Sequence, residues 1–119
     1  MYPSGDPTCL FCKIADKQIP GKIVCEDEQA MAFYDVNPKA PLHLLIIPKK
    51  HITSLASMEK SDQSIISHLF GIAIDLAEKQ GISKSGFRTV INTGADGGQT
   101  VFHLHLHLLG GRSFSWPPG

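Results

Sequence analysis

The sequence predicts an α+β fold, in which a five-stranded antiparallel sheet carries one long and one short helix. Helix-like and strand-like segments follow one another in the order α-β-β-β-α-β-β along 119 residues. The connections between the strand-like segments are short, which favours hairpins and hence an antiparallel sheet with the helices on one side. A chain of this length forms a single core, so residues 1–119 are assigned to one domain.

The N-terminal part contains the short helix. We expect residues 1–7 to be loose and Thr8 to be the N-cap of a helix over residues 9–16. The apolar residues on its inner side are Leu10, Phe11 and Ile14. Pro20 and Gly21 end this segment.

Three strands follow the short helix. Alternating or continuous apolar runs predict them at residues 22–26, 30–36 and 42–47. The first carries Cys25, which we interpret as a core residue of the strand. The third run is almost wholly apolar apart from His43, which predicts a central strand buried on both faces.

The long helix is predicted over residues 61–80. Ile65, Leu69, Ile72 and Leu76 recur every three or four residues, and Gly81 suits the position after the helix end. Two further strands, over residues 87–92 and 100–109, flank a Gly-rich loop at 93–99. The tail, residues 110–119, is predicted to be irregular.

Charge and apolar patterning exclude several classes of partner. Eleven basic residues balance eleven acidic ones, and the short cluster Lys49-Lys50-His51 is no groove for a polyanion, so we expect no nucleic-acid partner. No apolar stretch reaches about 18 residues, so neither a membrane span nor a secretion signal is indicated. Three cysteines, an odd number, favour a reducing, cytoplasmic compartment over a disulfide framework.

Three of the six histidines alternate with leucines near the C-terminus, as His103, His105 and His107. Because side chains on a strand point alternately to its two faces, the three imidazoles share one face and the leucines pack on the core. The histidines would therefore line an open surface or a cleft.

Three interpretations of this face are open: tolerated polar residues, a metal site, and nucleophilic catalysis. Two histidines at i and i+2 can bind zinc, whereas imidazole also serves as nucleophile, base or acid near neutral pH. The Gly-rich loop favours catalysis beside a phosphate. Gly97 and Gly98 permit backbone N–H groups to converge on an anion, and Gln99 and Thr100 add side-chain donors.

These residues resemble the histidine triad family, whose motif is His-x-His-x-His followed by apolar positions. The resemblance covers residues 8–119, nearly the whole chain. Its further segments are Phe11, Ile19-Pro20, Ala32-Phe33-Tyr34-Asp35, Pro41, Ile47-Pro48, Gly97-Gly98-Gln99 and Trp116-Pro117-Pro118-Gly119.

Within that family the chain is most similar to the Hint branch, the purine nucleoside phosphoramidases. The resemblance implies a hydrolase that cleaves the bond between a nucleoside monophosphate and an amine. The related nucleotidyltransferases carry glutamine at the position of His107, and the dinucleoside polyphosphate hydrolases lack the Gly-Gly-Arg…Trp-Pro-Pro-Gly ending. A non-enzymatic, zinc-stabilised nucleotide-binding or scaffold module is the remaining alternative.

The resemblance also implies catalytic roles. His105 would be the nucleophile that forms a nucleotidyl-histidine, and His107 would hold its ring in the reactive tautomer. His103 would contact the phosphate or the leaving group. His43, on a neighbouring strand, would complete the hydrogen-bond chain behind the triad.

Nucleotide contacts follow from the same resemblance. Asp35 would accept hydrogen bonds from the ribose hydroxyls, although it could equally cap a turn. The phosphate and the ribose edge would meet Asn92, Gly98, Gln99 and Thr100. The purine would lie among apolar residues whose default place is the core, namely Leu10, Phe11, Ile14, Phe33 and Val36. The family forms a homodimer that joins two sheets, in which Trp116 would approach the partner's site.

Cys9 and Cys12 form a Cys-x-x-Cys pair, which alone supplies two of the four ligands of a structural zinc. Some triad proteins with this pair resemble zinc binders that add two histidines, here His51 and His103. The alternative is a pair of small buried residues. No cofactor is required for catalysis, and a zinc on His103 would remove that side chain from the leaving group.

Overall fold

The structure is a computed structural model that describes residues 6–119. Its helices are α1 (Leu10–Ala15) and α2 (Gln63–Lys79), with 3-10 turns at Leu55–Ser57 and Lys60–Asp62. Its strands are β1 (Ile23–Glu26), β2 (Ala30–Tyr34), β3 (Leu42–Pro48), β4 (Phe87–Val90) and β5 (Leu106–Gly110). They form one antiparallel sheet in the order β1-β2-β3-β5-β4, which confirms the predicted fold class.

The two helices lie on opposite faces of this sheet, so the expectation of helices on one side is wrong. Ala32 of β2 and Leu44 of β3 pack in one apolar cluster with α2. Their chain neighbours Phe33 and Leu45 pack in a second cluster with α1. The central strand β3 is therefore buried on both faces, as predicted, because each face has its own helix.

The α2 stripe is confirmed. Ile65, Leu69 and Leu76 are buried, and Ile72 packs against the same cluster. The helix ends as predicted, since Gly81 follows the C-cap with a φ of +76°. None of the helices in the described part of the chain has both the length and the apolar character needed to cross a lipid bilayer.

The start of the short helix differs from the prediction. Cys9, not Thr8, is the N-cap, because its Sγ accepts a hydrogen bond from the Cys12 amide at 3.3 Å. Leu10 is 49% exposed rather than on the inner side. Residues 1–5 lie outside the described residues, whereas Asp6, expected to be loose, caps a turn by accepting from the Thr8 amide.

The last strand is shorter than predicted. It begins at Leu106, so His103 and His105 precede it and only His107 lies within it. The leucines nevertheless face the core: Leu104, Leu106 and Leu108 all belong to the α2-side cluster. The three histidines point the other way, towards α1.

Candidate active site

His105 and His107 line a cavity of about 510 Å³ between α1, the sheet and the Gly-rich loop. This volume is typical of small-ligand sites. Of the residues predicted to contact a nucleotide, nine line it: Leu10, Phe11, Ile14, Phe33, Asp35, Val36, Asn92, Gly98 and Thr100. His43 joins them, but His103, Gln99 and Trp116 do not.

The proton on His105 has a defined place. Its Nδ1–H donates to the backbone carbonyl oxygen of His103 at 2.7 Å. In a neutral imidazole the other nitrogen, Nε2, then carries a free lone pair. We expected His107 to fix this tautomer, but the His103 carbonyl does so. His107 instead lies beside the His105 ring, with the centroids 5.0 Å apart.

A second hydrogen-bond chain orients His107. The Lys39 amide donates to His43 Nδ1 at 3.0 Å, so the proton of neutral His43 is on Nε2. His43 Nε2–H then donates to His107 Nδ1 at 2.8 Å, which leaves the His107 proton on Nε2. His43 thus completes the hydrogen-bond chain behind the triad.

Burial keeps both of these histidines neutral. It lowers the pKa of His43, an effect that the nearby Asp35 carboxylate opposes and Lys39 reinforces. Burial, with His105 and His43 close by, lowers the pKa of His107 to about 4, and Asp35 again opposes. Near neutral pH His107 therefore holds a single proton, on the nitrogen that is not bonded to His43.

The Asp35 carboxylate has two contacts in this region. Its Oδ1 accepts from the Asn37 amide at 2.8 Å, which caps the turn after β2. Its Oδ2 lies 3.4 Å from His43 Nε2. The turn-capping alternative is thus present in the structure, while the carboxylate also lines the cavity, where the ribose role stays a prediction.

The Gly-rich loop is more closed than expected. The amide of Gly98 donates to the Ala95 carbonyl and the amide of Gln99 to the Gly94 carbonyl, each at 3.0 Å. Those two N–H groups are used within the loop and do not converge on an anion. Gly97 is required by close approach, since a Cβ there would lie 2.2 Å from the Thr93 carbonyl oxygen.

The Gln99 side chain is a brace rather than a cavity donor. It is buried, its Oε1 accepts from the Gly94 amide at 2.9 Å, and its Nε2 donates to the carbonyls of Thr53 and Val101. Asn92 donates to the Gly97 carbonyl at 2.8 Å and still lines the cavity. Thr100, at the mouth of the loop, is exposed there.

His103 belongs to a different cluster. It is completely buried, and its Nε2–H donates to the Pro48 carbonyl at 2.8 Å. Its Nδ1 lies 3.3 Å from Cys9 Sγ, 3.5 Å from Cys12 Sγ and 3.2 Å from His51 Nδ1. Burial lowers the pKa of His103 to about 4. Both nitrogens of His103 thus point away from the cavity, whose lining does not include this residue, and its predicted contact with the phosphate or the leaving group stays a prediction.

The donor set of this cluster fits a tetrahedral zinc. Bond lengths of about 2.3 Å to sulfur and about 2.0–2.1 Å to nitrogen place the ligand atoms roughly 3.4–3.8 Å apart. The separations given above are close to this, Cys12 Sγ lies 3.2 Å from His51 Nδ1, and all four ligand atoms lie within 4.8 Å of one another. The Pro48 carbonyl also fixes the tautomer of His103 that would expose a lone pair on Nδ1 to such an ion.

Asp35, His43 and His107 form the other acidic or histidine cluster of the described residues. Here the 2.8 Å between the His43 and His107 nitrogens is occupied by a proton. Such a donor–acceptor pair has no shared lone pairs for a cation, so this cluster does not fit a metal.

Phe11 connects the two regions. It lies between the two cysteines in sequence, and its ring meets the His105 ring edge-on with the centroids 5.1 Å apart. The ring also packs against Phe33, another wall of the cavity. The Cys-x-x-Cys turn therefore sets the position of the cavity wall beside His105.

Sequence reasoning missed the backbone groups that set the tautomers, namely the His103 carbonyl and the Lys39 amide, because backbone contacts leave no residue-type signal. Trp116 is 82% exposed within the single chain, so its predicted approach to a partner's site stays a prediction.

Comparisons with known proteins agree with this geometry. The family model described as HIT domain matches residues 16–114. An uncharacterized HIT-like protein of Synechocystis sp. is 53% identical over 110 residues, which cover 92% of this chain and 96% of the relative.

Two solved structures share the fold. A HIT family hydrolase from Legionella pneumophila has a TM-score of 0.92 and 49% identity, covering 94% of this chain and all of the other. A histidine triad nucleotide-binding protein from Candida albicans has a TM-score of 0.80 and 28% identity, covering 92% of this chain and 83% of the other.

Proposed function

The chain belongs to the HIT domain family, and on that premise we propose that it hydrolyses purine nucleoside 5′-phosphoramidates. The P–N bond is cleaved through a covalent nucleotidyl intermediate on His105. One observation carries the proposal: His105 keeps its proton on Nδ1, against a backbone carbonyl, and so presents an unprotonated Nε2 in a cavity of nucleotide size. The solved relatives called a hydrolase and a nucleotide-binding protein support it.

The first step is attack of His105 Nε2 on the α-phosphorus. A bond forms between Nε2 and phosphorus while the bond from phosphorus to the amine breaks. The ring gains positive charge, which the His103 carbonyl stabilises through the Nδ1–H hydrogen bond. Water then displaces the histidine and releases the nucleoside monophosphate. Two such displacements replace one difficult step.

The amine leaves only when it is protonated, and His107 is the proton donor in this proposal. His107 lines the cavity, and its Nε2–H is the hydrogen that it can donate there, because its Nδ1 is bonded to His43. His107 Nε2 recovers this proton from the water that attacks phosphorus in the second displacement, so His43 keeps its own Nε2–H and the protons balance. This assignment takes over the leaving-group role that was predicted for His103, which is buried elsewhere.

The nucleotide lies along the cavity with its phosphate beside His105. Asn92, Gly98 and Thr100 are the lining groups on the phosphate side, and Asp35 accepts from the ribose hydroxyls. The purine packs against Phe11, Phe33 and their neighbours on α1. Apolar walls accept either purine.

We further propose that Cys9, Cys12, His51 and His103 hold a structural zinc. When bound, this ion supplies a crosslink between α1 and the segment before β5 and no chemistry at phosphorus.

The chain forms a homodimer through its edge strand β4, where Phe87 is exposed, and Trp116 approaches the partner's cavity. Free cysteines are consistent with a reducing, cytoplasmic setting.

The test is hydrolysis of adenosine 5′-phosphoramidate, followed as release of AMP, by the wild type and by His105→Ala. We expect turnover by the wild type and none by the variant, while both bind AMP. A folded wild type that binds AMP without turnover would favour the binding module. Near-normal turnover by His105→Ala would exclude the covalent route.

A further inference from the structure

Arg112 lies outside the cavity, in the segment that follows β5. Its guanidinium donates two hydrogen bonds to a single acceptor, the carbonyl oxygen of Lys39, at 3.2 Å from Nε and 2.9 Å from Nη2. Its Nη1 donates to the Ser113 carbonyl at 2.9 Å, and its Cζ lies 4.2 Å from the centroid of the Phe114 ring. The guanidinium is thus fixed against the backbone of Lys39.

The same segment contacts the loop between β2 and β3 at a second point. Gly111 approaches Pro41 so closely that a Cβ at Gly111 would lie 2.9 Å from the Pro41 Cβ, and its φ is +90°. The start of the loop is held by the turn in which Asp35 accepts from Asn37. Lys39 lies between these two anchors, where Arg112 holds its carbonyl and its Nζ donates to the Asn37 carbonyl at 3.3 Å.

We propose that Arg112 is a positioning residue that keeps His43 in its Nε2–H tautomer by holding Lys39 in place. The carbonyl of Lys39 bonds to Arg112, and the amide of the same residue donates to His43 Nδ1 at 3.0 Å. Its consequence for catalysis rests on the proposed function, but the tautomer is a property of the chain alone.

Loss of the guanidinium would propagate through two imidazoles. Without the Lys39 amide, His43 Nδ1 loses the donor that keeps it unprotonated, and the proton can occupy Nδ1 instead. Two lone pairs would then face each other across the 2.8 Å between His43 and His107. His107 must move its own proton to Nδ1 to restore the hydrogen bond, which removes the Nε2–H from the cavity.

Arg88 provides a matched control for a merely structural role in the tail. It stacks on the same Phe114 ring, at 5.2 Å, and its Nη2 donates to the Ser115 carbonyl at 2.9 Å rather than to Lys39. Arg88→Gln removes the same charge and an equivalent ring contact. It leaves both hydrogen bonds to the Lys39 carbonyl intact.

The experiment uses full-length protein labelled with ¹⁵N-histidine. Long-range ¹H–¹⁵N correlation at neutral pH reports which ring nitrogen of His43 and His107 is protonated. We expect Nε2–H for both in the wild type and in R88Q, and a population of Nδ1–H in R112Q. We also expect kcat of R112Q to fall about tenfold, as for other partners that orient a functional histidine, with a smaller change in KM.

Two results would overturn the proposal: wild-type tautomers in folded R112Q, or an equal change in R88Q. If R112Q does not fold, R112K carries the same comparison, because lysine keeps the charge but not the paired N–H groups. A wild type without phosphoramidase activity would refute the proposed function. The tautomer comparison would still decide the role of Arg112.

Discussion

Two neighbouring histidine clusters use the imidazole side chain in opposite ways. The cysteine cluster consists of Cys9, Cys12, His51 and His103, and the triad cluster contains His43 and His107. In the cysteine cluster, the Nδ1 atoms of His51 and His103 face each other at 3.2 Å, among two sulfur atoms. In the triad cluster, His43 and His107 meet at 2.8 Å as donor and acceptor. The first arrangement brings lone pairs together, as a metal site requires, and the second places a proton donor against an acceptor.

The difference arises from what the second nitrogen of each ring contacts. The Pro48 carbonyl oxygen accepts a hydrogen bond from His103 Nε2–H, so the lone pair of His103 is on Nδ1 and faces the sulfur atoms. An amide donor at Nδ1 of His43 has the reverse effect and directs a proton to His107. The backbone neighbours of each imidazole, rather than its spacing in the sequence, therefore decide whether the ring offers its neighbours a lone pair or a proton.

The largest expected effect separates the clusters by stability. Cys12→Ser removes one of four metal ligands, so the metal content of protein purified without a His tag should fall from about one to near zero per chain. We expect the free energy of unfolding to fall by more than about 4 kcal/mol, the range of a lost metal site. Metal analysis and urea denaturation measure both. Unchanged stability would mean that the cluster is a pair of buried cysteines and no metal site.

The next effect is on rate. His107→Gln removes the proton donor of the triad cluster, and we expect kcat to fall about 10²–10⁴-fold, the usual contribution of a positioned acid. Metal content should stay at the wild-type value. Steady-state kinetics with adenosine 5′-phosphoramidate measure kcat, and metal analysis measures the metal content. Loss of metal from this variant would mean that the two clusters are not separate.

Asp35→Asn sharpens the triad side of the comparison. The amide keeps an oxygen for the Asn37 turn but loses the charge that, in the proposed function, accepts from two ribose hydroxyls. We expect AMP affinity to fall about 10-fold or more, as for a hydrogen bond to a charged group, and that of 2′-deoxy-AMP to fall less. Calorimetry measures both. Equal losses of affinity for AMP and 2′-deoxy-AMP would exclude the ribose role and show that Asp35 only caps the turn at Asn37.

The last prediction concerns the pH dependence of stability. The folded-state pKa of His107, about 4, lies below its ordinary value of 6.5, so the unfolded chain binds the proton more readily between these values. Stability from this group is full above pH 6.5 and is lost as the pH falls towards 4, by up to about 1.4 kcal/mol per pH unit. Urea denaturation of the wild type and of His107→Gln at several pH values isolates this contribution. An equal change of the free energy of unfolding with pH in both proteins would refute the buried, neutral state of His107.

The long elements could be predicted from periodicity, whereas the placement of α1 could not. The stripe from Ile65 to Leu76 fixes both the α2 helix and its inner face. In α1 the buried residues are Phe11, Cys12 and Ile14, too few in six residues to indicate which side of the sheet they cover. Only the continuous burial of successive residues in β2 and β3, on both faces of the sheet, shows that a second helix is needed.

The triad was predicted as one strand, but its first half leaves the sheet. Pro48, at the end of β3, has no N–H to donate, and its carbonyl is taken by the His103 ring. The Leu104 amide donates to the Ile52 carbonyl instead, at 2.7 Å. His–Leu alternation survives this change. The residues of both clusters were therefore predictable, whereas the cluster to which His103 belongs was left open between two alternatives.

Stereochemistry at phosphorus tests the central claim, a covalent nucleotidyl-His105, most directly. The substrate is an adenosine 5′-phosphoramidothioate of defined configuration, hydrolysed by the wild type in ¹⁸O-labelled water. Each in-line displacement inverts phosphorus, so the two displacements of a covalent route predict overall retention. Inversion would show a single attack by water and would contradict the account.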